Sequence, residues 1–395
     1  MPGIDDLTDG LAAGAPAPAA ATGPAAYAAH FEAPDGYLDF ARYGPPSRDV
    51  LDATAGALTR SAHADHTTVN ALMRADLRAR ESAARLAGTD AEHTVLIPNT
   101  TTGLFQAAFG ILEGEVLVPE GDFPANHYPW RRTAAAGLAR PRWLPAGPAG
   151  ATTPEAVREA LTGDVVAVAV SAVDFRTGHR ADLAALRDVI GPDRLLVVDA
   201  IQGFGVVEMP WQAADVVVAG GQKWLRAGWS TGFAALSDRA LERLAPTLTG
   251  WTGVEDVALF DNAEHPPLAG AGRLSLTNLS PVSAAAFAAA LELVEATGVA
   301  VIEAAVAERV GELIEAVRAR GGELLSPVEP ARRAGIVSFR LPGVPAAKAA
   351  EALHAHGLTP TVRADSLRLS PHASTPASVA GRVAEALASV SASAG

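Results

Sequence analysis

An acid and an amine stand at the ends of two successive apolar runs. RLLVVDAIQ (194–202) puts Asp199 at the tip of one run, and DVVVAGGQKW (215–224) puts Lys223 after two glycines at the tip of the next. Runs this apolar read as buried strands of a parallel sheet, and ligands of open α/β sheets bind beyond the carboxyl ends of the strands. The pair is thereby aimed at one ligand. Pyridoxal phosphate uses both groups: the lysine forms a Schiff base with its aldehyde, and the acid keeps its pyridinium nitrogen protonated. Either half alone is common on protein surfaces. The order of the two, and the neighbours below, favour the joint reading.

Several other residues could complete such a site. NTTTG (99–103) follows a strand and opens an apolar helix. Unpaired N–H groups and the positive dipole end there suit a phosphate, although a threonine-rich N-cap alone has the same look. Phe123, in DFPANHYPW (122–130), lies just beyond another strand at the same sheet end, where it could stack on a flat ring or simply fill the core. Asn126 and His127 could border the site or belong to the loop. Gln202 could reach the phenolic oxygen of the cofactor or stabilise a turn. Arg368, in a late strand, could hold a substrate carboxylate with its guanidinium fork or remain a solvated charge. His372 is close by and equally open between structural and functional roles.

These residues must be positioned by strands and helices in alternation. The clearest β-rich runs are 94–97, 115–118, 165–171, 195–198, 216–219 and 232–236, separated by helical stretches. This spacing predicts an α/β fold with a mostly parallel central sheet covered on both faces. Long helices are expected over 282–298 and 301–319. Beyond Gly321 the style changes to a small α+β unit, with runs at 336–341 and 366–369 and helices at 346–355 and from Pro376. Residues 11–26 are an Ala/Pro/Gly tract, so the reading is a flexible lead-in over 1–36. A large cofactor-binding domain over 37–280 would follow, then a linking helix and small domain over 281–395.

Composition narrows the rest. A chain of 395 residues suggests two domains, and 49% apolar residues allow a large core. A net charge of -13 argues against nucleic acid as partner. No apolar run is long enough to span a membrane, and the acidic start Met-Pro-Gly-Ile-Asp-Asp lacks a signal pattern, so a cytoplasmic location is expected. There are no cysteines, which removes disulfides, thiolate metal sites and a cysteine nucleophile. No strand is followed by G-x-G-x-x-G, which disfavours a nucleotide-binding Rossmann enzyme.

From about Tyr37 to Leu387 the chain resembles the class V aminotransferases, fold-type I pyridoxal-phosphate enzymes that include cysteine desulfurases and kynureninases. VVDAIQG resembles the strand that carries the pyridinium aspartate and the glutamine, and GGQKWLRAG the Schiff-base lysine segment. LRLSPHAST is similar to the segment of the carboxylate-binding arginine, which gives that role to Arg368. NTTTG resembles the phosphate loop, which gives Thr100 and Thr101 the phosphate. DFPANHY is similar to the kynureninase loop whose phenylalanine stacks on the ring. LTGWTG and LTN resemble segments that kynureninases extend across a dimer, so Trp251 and Asn278 would serve the neighbouring cofactor; otherwise they pack within their own subunit.

Departures accompany the match. Gln222 precedes the lysine where desulfurases have histidine and kynureninases a phosphate-binding tyrosine. Gly220 replaces a phosphate-contacting serine. SAVDFRTG (171–178) lacks the histidine or asparagine often found above the ring. The resemblance implies a homodimer with shared active sites, acting on an α-amino acid. Lys223 would take the Cα proton, and transamination or β-elimination would follow. Kynureninase-type hydrolysis is the alternative, and a catalytically silent binding protein on the same fold a further one. With no cysteine to carry a persulfide, cysteine desulfurase activity is expected to be absent.

Overall fold

The computed structural model of the protein describes residues 23–147 and 150–391. The first seven strands are β1 (Thr94–Leu96), β2 (Glu115–Pro119), β3 (Arg140–Leu144), β4 (Val165–Ser171), β5 (Leu195–Asp199), β6 (Val216–Gly220) and β7 (Gly232–Leu236). They form one sheet in the order β1-β7-β6-β5-β4-β2-β3. The ladders from β3 across to β6 are parallel, and β7 runs antiparallel to both β6 and β1. The expected mostly parallel α/β sheet is therefore what forms.

The unbroken apolar runs follow from burial on both faces. Leu195 and Val197 of β5 join one core cluster, while Leu196 and Val198 join the other. No position on this strand meets water, so no polar alternation is needed. Helix Thr100–Gly110 packs on the cluster of Leu195 and Val197, and Pro281–Thr297 on that of Leu196 and Val198, against Arg48–Ser61 and Ala75–Ala87. The alanines of Pro281–Thr297 allow this close approach. Gly298, at φ 86°, bends the chain by 83° into the helix Val299–Arg318. No single described helix is long and apolar enough to cross a membrane.

Beyond this sheet lie β8 (Glu323–Leu324), β9 (Val337–Arg340), β10 (Thr361–Val362) and β11 (Leu367–Leu369), in the order β10-β11-β9-β8, all antiparallel. Single bridges join Tyr37 to Thr359 and Asp39 to Ser370, so the segment around Asp39 lies against this second sheet.

One boundary moves. The flexible lead-in was drawn to residue 36, but helix Pro24–Ala28 is formed and Tyr27 is 2% exposed. The tyrosine packs on Phe31 and His372, an anchor that the surrounding Ala/Pro composition conceals. The remainder of that expectation, residues 1–22, lies outside the described residues.

Candidate active site

Parallel register brings the sheet's carboxyl end together. Ser171 of β4 pairs with Asp199 of β5, and Asp199 pairs with Val218 of β6, two residues before Gly220. Lys223 follows within the turn after β6. Both Asp199 and Lys223 are buried.

Their electrostatics are unusual. One oxygen of Asp199 accepts the Ile201 N–H at 3.0 Å, and no other hydrogen bond reaches the carboxylate from the described residues. Burial pushes its carboxyl up to about 6, against the pull of that N–H and of Lys223, with Asp122 adding a like charge. Burial likewise pushes the Lys223 ammonium down to about 8, against the attraction of Asp199. The Lys223 nitrogen lies 5.3 Å from the centre of the Phe123 ring and has no hydrogen-bond partner among the described residues.

The phosphate end is built from backbone. Asn99 caps the helix Thr100–Gly110 by accepting from Thr102 N at 2.9 Å, which leaves the amides of Thr100 and Thr101 at the helix start. Thr100 is buried and its hydroxyl oxygen accepts from Gly220 N at 2.9 Å, while Thr101 is exposed. A Cβ on Gly220 would lie 2.5 Å from Gln222 Oε1 and 3.1 Å from Thr100 Oγ1. Glycine there lets the Gln222 and Thr100 oxygens crowd together beside the helix start.

Pyridoxal phosphate fits this set of residues. There is an amine without a hydrogen-bond partner, a buried carboxylate with accepting capacity left, an aromatic face and a helix start free of acidic side chains.

Other expected residues are engaged differently. The amide of Gln202 donates to Ala41 O at 2.9 Å and accepts from Trp224 Nε1 at 2.7 Å, so one N–H is left for any ligand. Arg368 is buried and donates to Phe175 O at 2.8 Å, Thr361 Oγ1 at 2.8 Å and Asp39 Oδ1 at 3.2 Å; its Nε has no partner. Asn126 accepts from Trp130 and donates to Asp122, and His127 binds Pro119 O, so both brace the loop. Trp251 and Asn278 are exposed and line two other surface cavities.

Sequence reading missed several contributors. Asp122 accepts from Ser171 N and Oγ, Asn126 and Phe123 N, which ties the loop of Phe123 to the tip of β4. Arg226 sits in the turn after Lys223 at φ 57°, a conformation that favours glycine. Phe31, 3.8 Å from its guanidinium carbon, together with Pro45 O, His372 and Ser374, holds it there. Burial, then the Arg226 charge, keeps His372 well below the usual histidine range, so it is a neutral brace. Nothing local marked Arg226 or Asp122.

The class-V aminotransferase family matches residues 37–364, and the chain belongs to that family of pyridoxal-phosphate enzymes. It is 31% identical over 254 residues to a probable cysteine desulfurase of Aeropyrum pernix, covering 58% of this chain and 60% of that protein. It is 28% identical over 219 residues to a kynureninase of Deinococcus radiodurans, covering 53% and 51%. The matches thus span between half and three-fifths of these relatives. Among solved structures, the cysteine desulfurase CsdA of Escherichia coli superposes with a TM-score of 0.81 at 20% identity, over 94% of this chain and 99% of that one. A cystine C–S lyase in complex with its product cysteine persulfide gives 0.81 at 18%, over 89% and 97%. The fold is that of the fold-type I enzymes.

One expectation is overturned. Cysteine desulfurase activity was excluded because the chain has no cysteine, yet the chain is 31% identical to a probable cysteine desulfurase and shares the fold of a solved one. The exclusion equated cleavage of a C–S bond with capture of its sulfur. Cleavage needs a base at Cα and an electron sink; a protein thiol is needed only if the protein keeps the sulfur.

Proposed function

We propose that the protein is a pyridoxal-phosphate-dependent lyase that removes a β-substituent, with sulfur as the leaving atom, from an α-amino acid. The observation that carries the reading is the buried Lys223–Asp199 pair at the sheet's carboxyl end, its amine over Phe123. Pyridoxal phosphate, when bound, supplies the sink for the electron pair left on Cα. Asp199 holds a proton at the ring nitrogen. Arg368 fixes the substrate carboxylate, turning the Cα–H toward Lys223. The Lys223 nitrogen, brought near neutral pH by burial, takes that proton. The Cβ–S bond then breaks with its electrons leaving on sulfur, and hydrolysis of the released enamine gives a 2-oxoacid and ammonia. The desulfurase and lyase relatives support C–S cleavage over transamination, the lyase supports elimination, and the kynureninase relative supports hydrolysis less directly.

The test is a product assay on the holoenzyme with a panel of amino acids. A 2-oxoacid with ammonia and a sulfur product supports elimination; an aminated cofactor, or an alanine-forming cleavage, sinks it. Borohydride should fix the cofactor on the peptide holding Lys223, and a covalently held chromophore surviving in Lys223→Ala would refute that assignment.

The site also belongs, in this reading, to a homodimer. Trp251 and Asn278 are exposed in this chain and reach the partner's site. Mixing Lys223→Ala with Trp251→Ala chains should restore activity through one intact site per heterodimer. A fully active monomer by sedimentation is the contrary result.

A further inference from the structure

Position 226 makes two choices that folding alone does not favour. Its backbone takes φ 57°, where glycine would sit without strain. Its guanidinium is fully buried, and no carboxylate among the described residues pairs with it. One amino group of the fork is shielded from water without an acceptor. Outliers of this kind persist where their surroundings hold them, and they gather at functional sites.

The surroundings are segments that meet at the Lys223 turn. Arg226 N donates to Lys223 O at 3.1 Å, which closes the turn. Gly44 lies against the same carbonyl: a Cβ there would stand 2.0 Å from Lys223 O and 2.7 Å from Arg226 Cγ. The guanidinium then reaches out of the turn. Its Nε donates to Pro45 O, and one Nη donates to His372 Nδ1 at 3.2 Å and to Ser374 Oγ at 3.1 Å. Ser374 N also donates to His372 Nδ1, at 3.1 Å, so that nitrogen carries no proton and the neutral ring accepts from both. Phe31 and Phe40 flank the cation, with ring centres 3.8 and 5.0 Å from the guanidinium carbon.

His372 and Ser374 stand in the loop that leaves β11, the strand of Arg368. One side chain therefore joins the Lys223 turn to the strand that carries Arg368. Those two cations share a site: after burial, and against Asp199, the Arg368 charge lowers the Lys223 ammonium further. A planar fork holds several acceptors at fixed angles, which a single ammonium cannot do. We infer that Arg226 is a positioning residue that sets the span between Lys223 and Arg368, and so decides how well one ligand is held by its amine and its carboxylate at once. The inference rests on the reading above in which Arg368 takes the substrate carboxylate.

Two probes that differ only in the carboxylate test it on the holoenzyme: L-norleucine and 1-aminopentane. Neither carries a β-substituent that can leave, so calorimetry reads binding alone. Wild type should bind L-norleucine about tenfold tighter or more, since hydrogen bonds to a charged group are at stake. Arg368→Met should bring that ratio near one. Arg226→Gly suits the backbone and removes the fork, while Arg226→Lys keeps a charge without the fork. Both should lower the ratio by about threefold or more, and neither should cost anything further once Arg368→Met is present. Affinity for 1-aminopentane and the cofactor absorbance should stay as in wild type. Equal weakening of both probes, loss of cofactor from both Arg226 variants, or an unchanged ratio in both makes Arg226 a structural residue and overturns the inference alone. A ratio near one in wild type, or one that survives Arg368→Met, removes Arg368 from the carboxylate and takes the inference with it.

Discussion

Two buried carboxylates on adjacent strands of the same sheet meet opposite treatment. Asp215 leads into β6 at the sheet's other end, and it is saturated. It accepts from Leu196 N at 2.8 Å, Ser237 Oγ at 2.8 Å, Arg239 at 2.7 Å and Arg187. Asp199, at the carboxyl end of β5, accepts one backbone N–H and is pushed up to about 6 by burial. One end of the sheet uses its acid to lock loops and helices in place. The other leaves its acid underprovided, an arrangement that folding alone does not favour and a cationic ring nitrogen would complete.

The comparison is broken most forcefully at Asp215. Removing its buried carboxylate leaves the half-buried Arg187 and Arg239 without their shared partner, and loss of one partner of a buried ion pair costs about 3–5 kcal/mol. Asp215→Ala should lower the unfolding free energy of the cofactor-free protein by that amount in urea titrations. A loss below about 1 kcal/mol would show that the cluster is ornamental to folding.

Asp199→Asn should do the reverse to stability and the damage to binding. The amide keeps the shape and removes a carboxylate whose charged form burial disfavours, so the cofactor-free protein should be unchanged or more stable by about 1–3 kcal/mol at neutral pH. Cofactor affinity should fall by roughly two to three orders of magnitude as the charge-assisted pair is lost. Equilibrium dialysis of pyridoxal phosphate reads the second effect. Ordinary retention together with ordinary turnover would remove Asp199 from the site.

The sequence shows the functional end more readily than the structural one. Asp199 and Lys223 each terminate a run whose full burial makes it uniformly apolar, so chain order alone places them. Asp215 also borders such a run, but its arginines come from residues 187 and 239, on either side in sequence. The Arg368–Asp39 pair joins positions 329 residues apart and has no local signature at all. β3 went unread because RPRWL contains a proline and buries only Leu144 fully, as an edge strand can. β8 and β10, two residues each, are too short to carry a period. Gln202 was read as a partner of the cofactor from its distance to Asp199, whereas its contacts with Ala41 and Trp224 come from folds of the chain that spacing cannot foresee.

The finest test of the contrast is its pH dependence, read as the difference between wild type and Asp199→Asn without cofactor. The Asp199 carboxyl titrates near 3.8 when unfolded and near 6 when folded. Between those values the folded protein keeps a proton that the unfolded chain has released. Stability tied to this group is therefore greatest below about pH 3.8, falls as pH rises toward about 6, and is flat above it. The slope inside the window should approach about 1.4 kcal/mol per pH unit. Denaturant midpoints at half-unit steps from pH 4 to 7 are enough to see it. A wild-type-minus-Asp199→Asn curve that rises across the window would mean that Asp199 is held ionised in the folded protein, and the asymmetry between the two sheet ends would be gone.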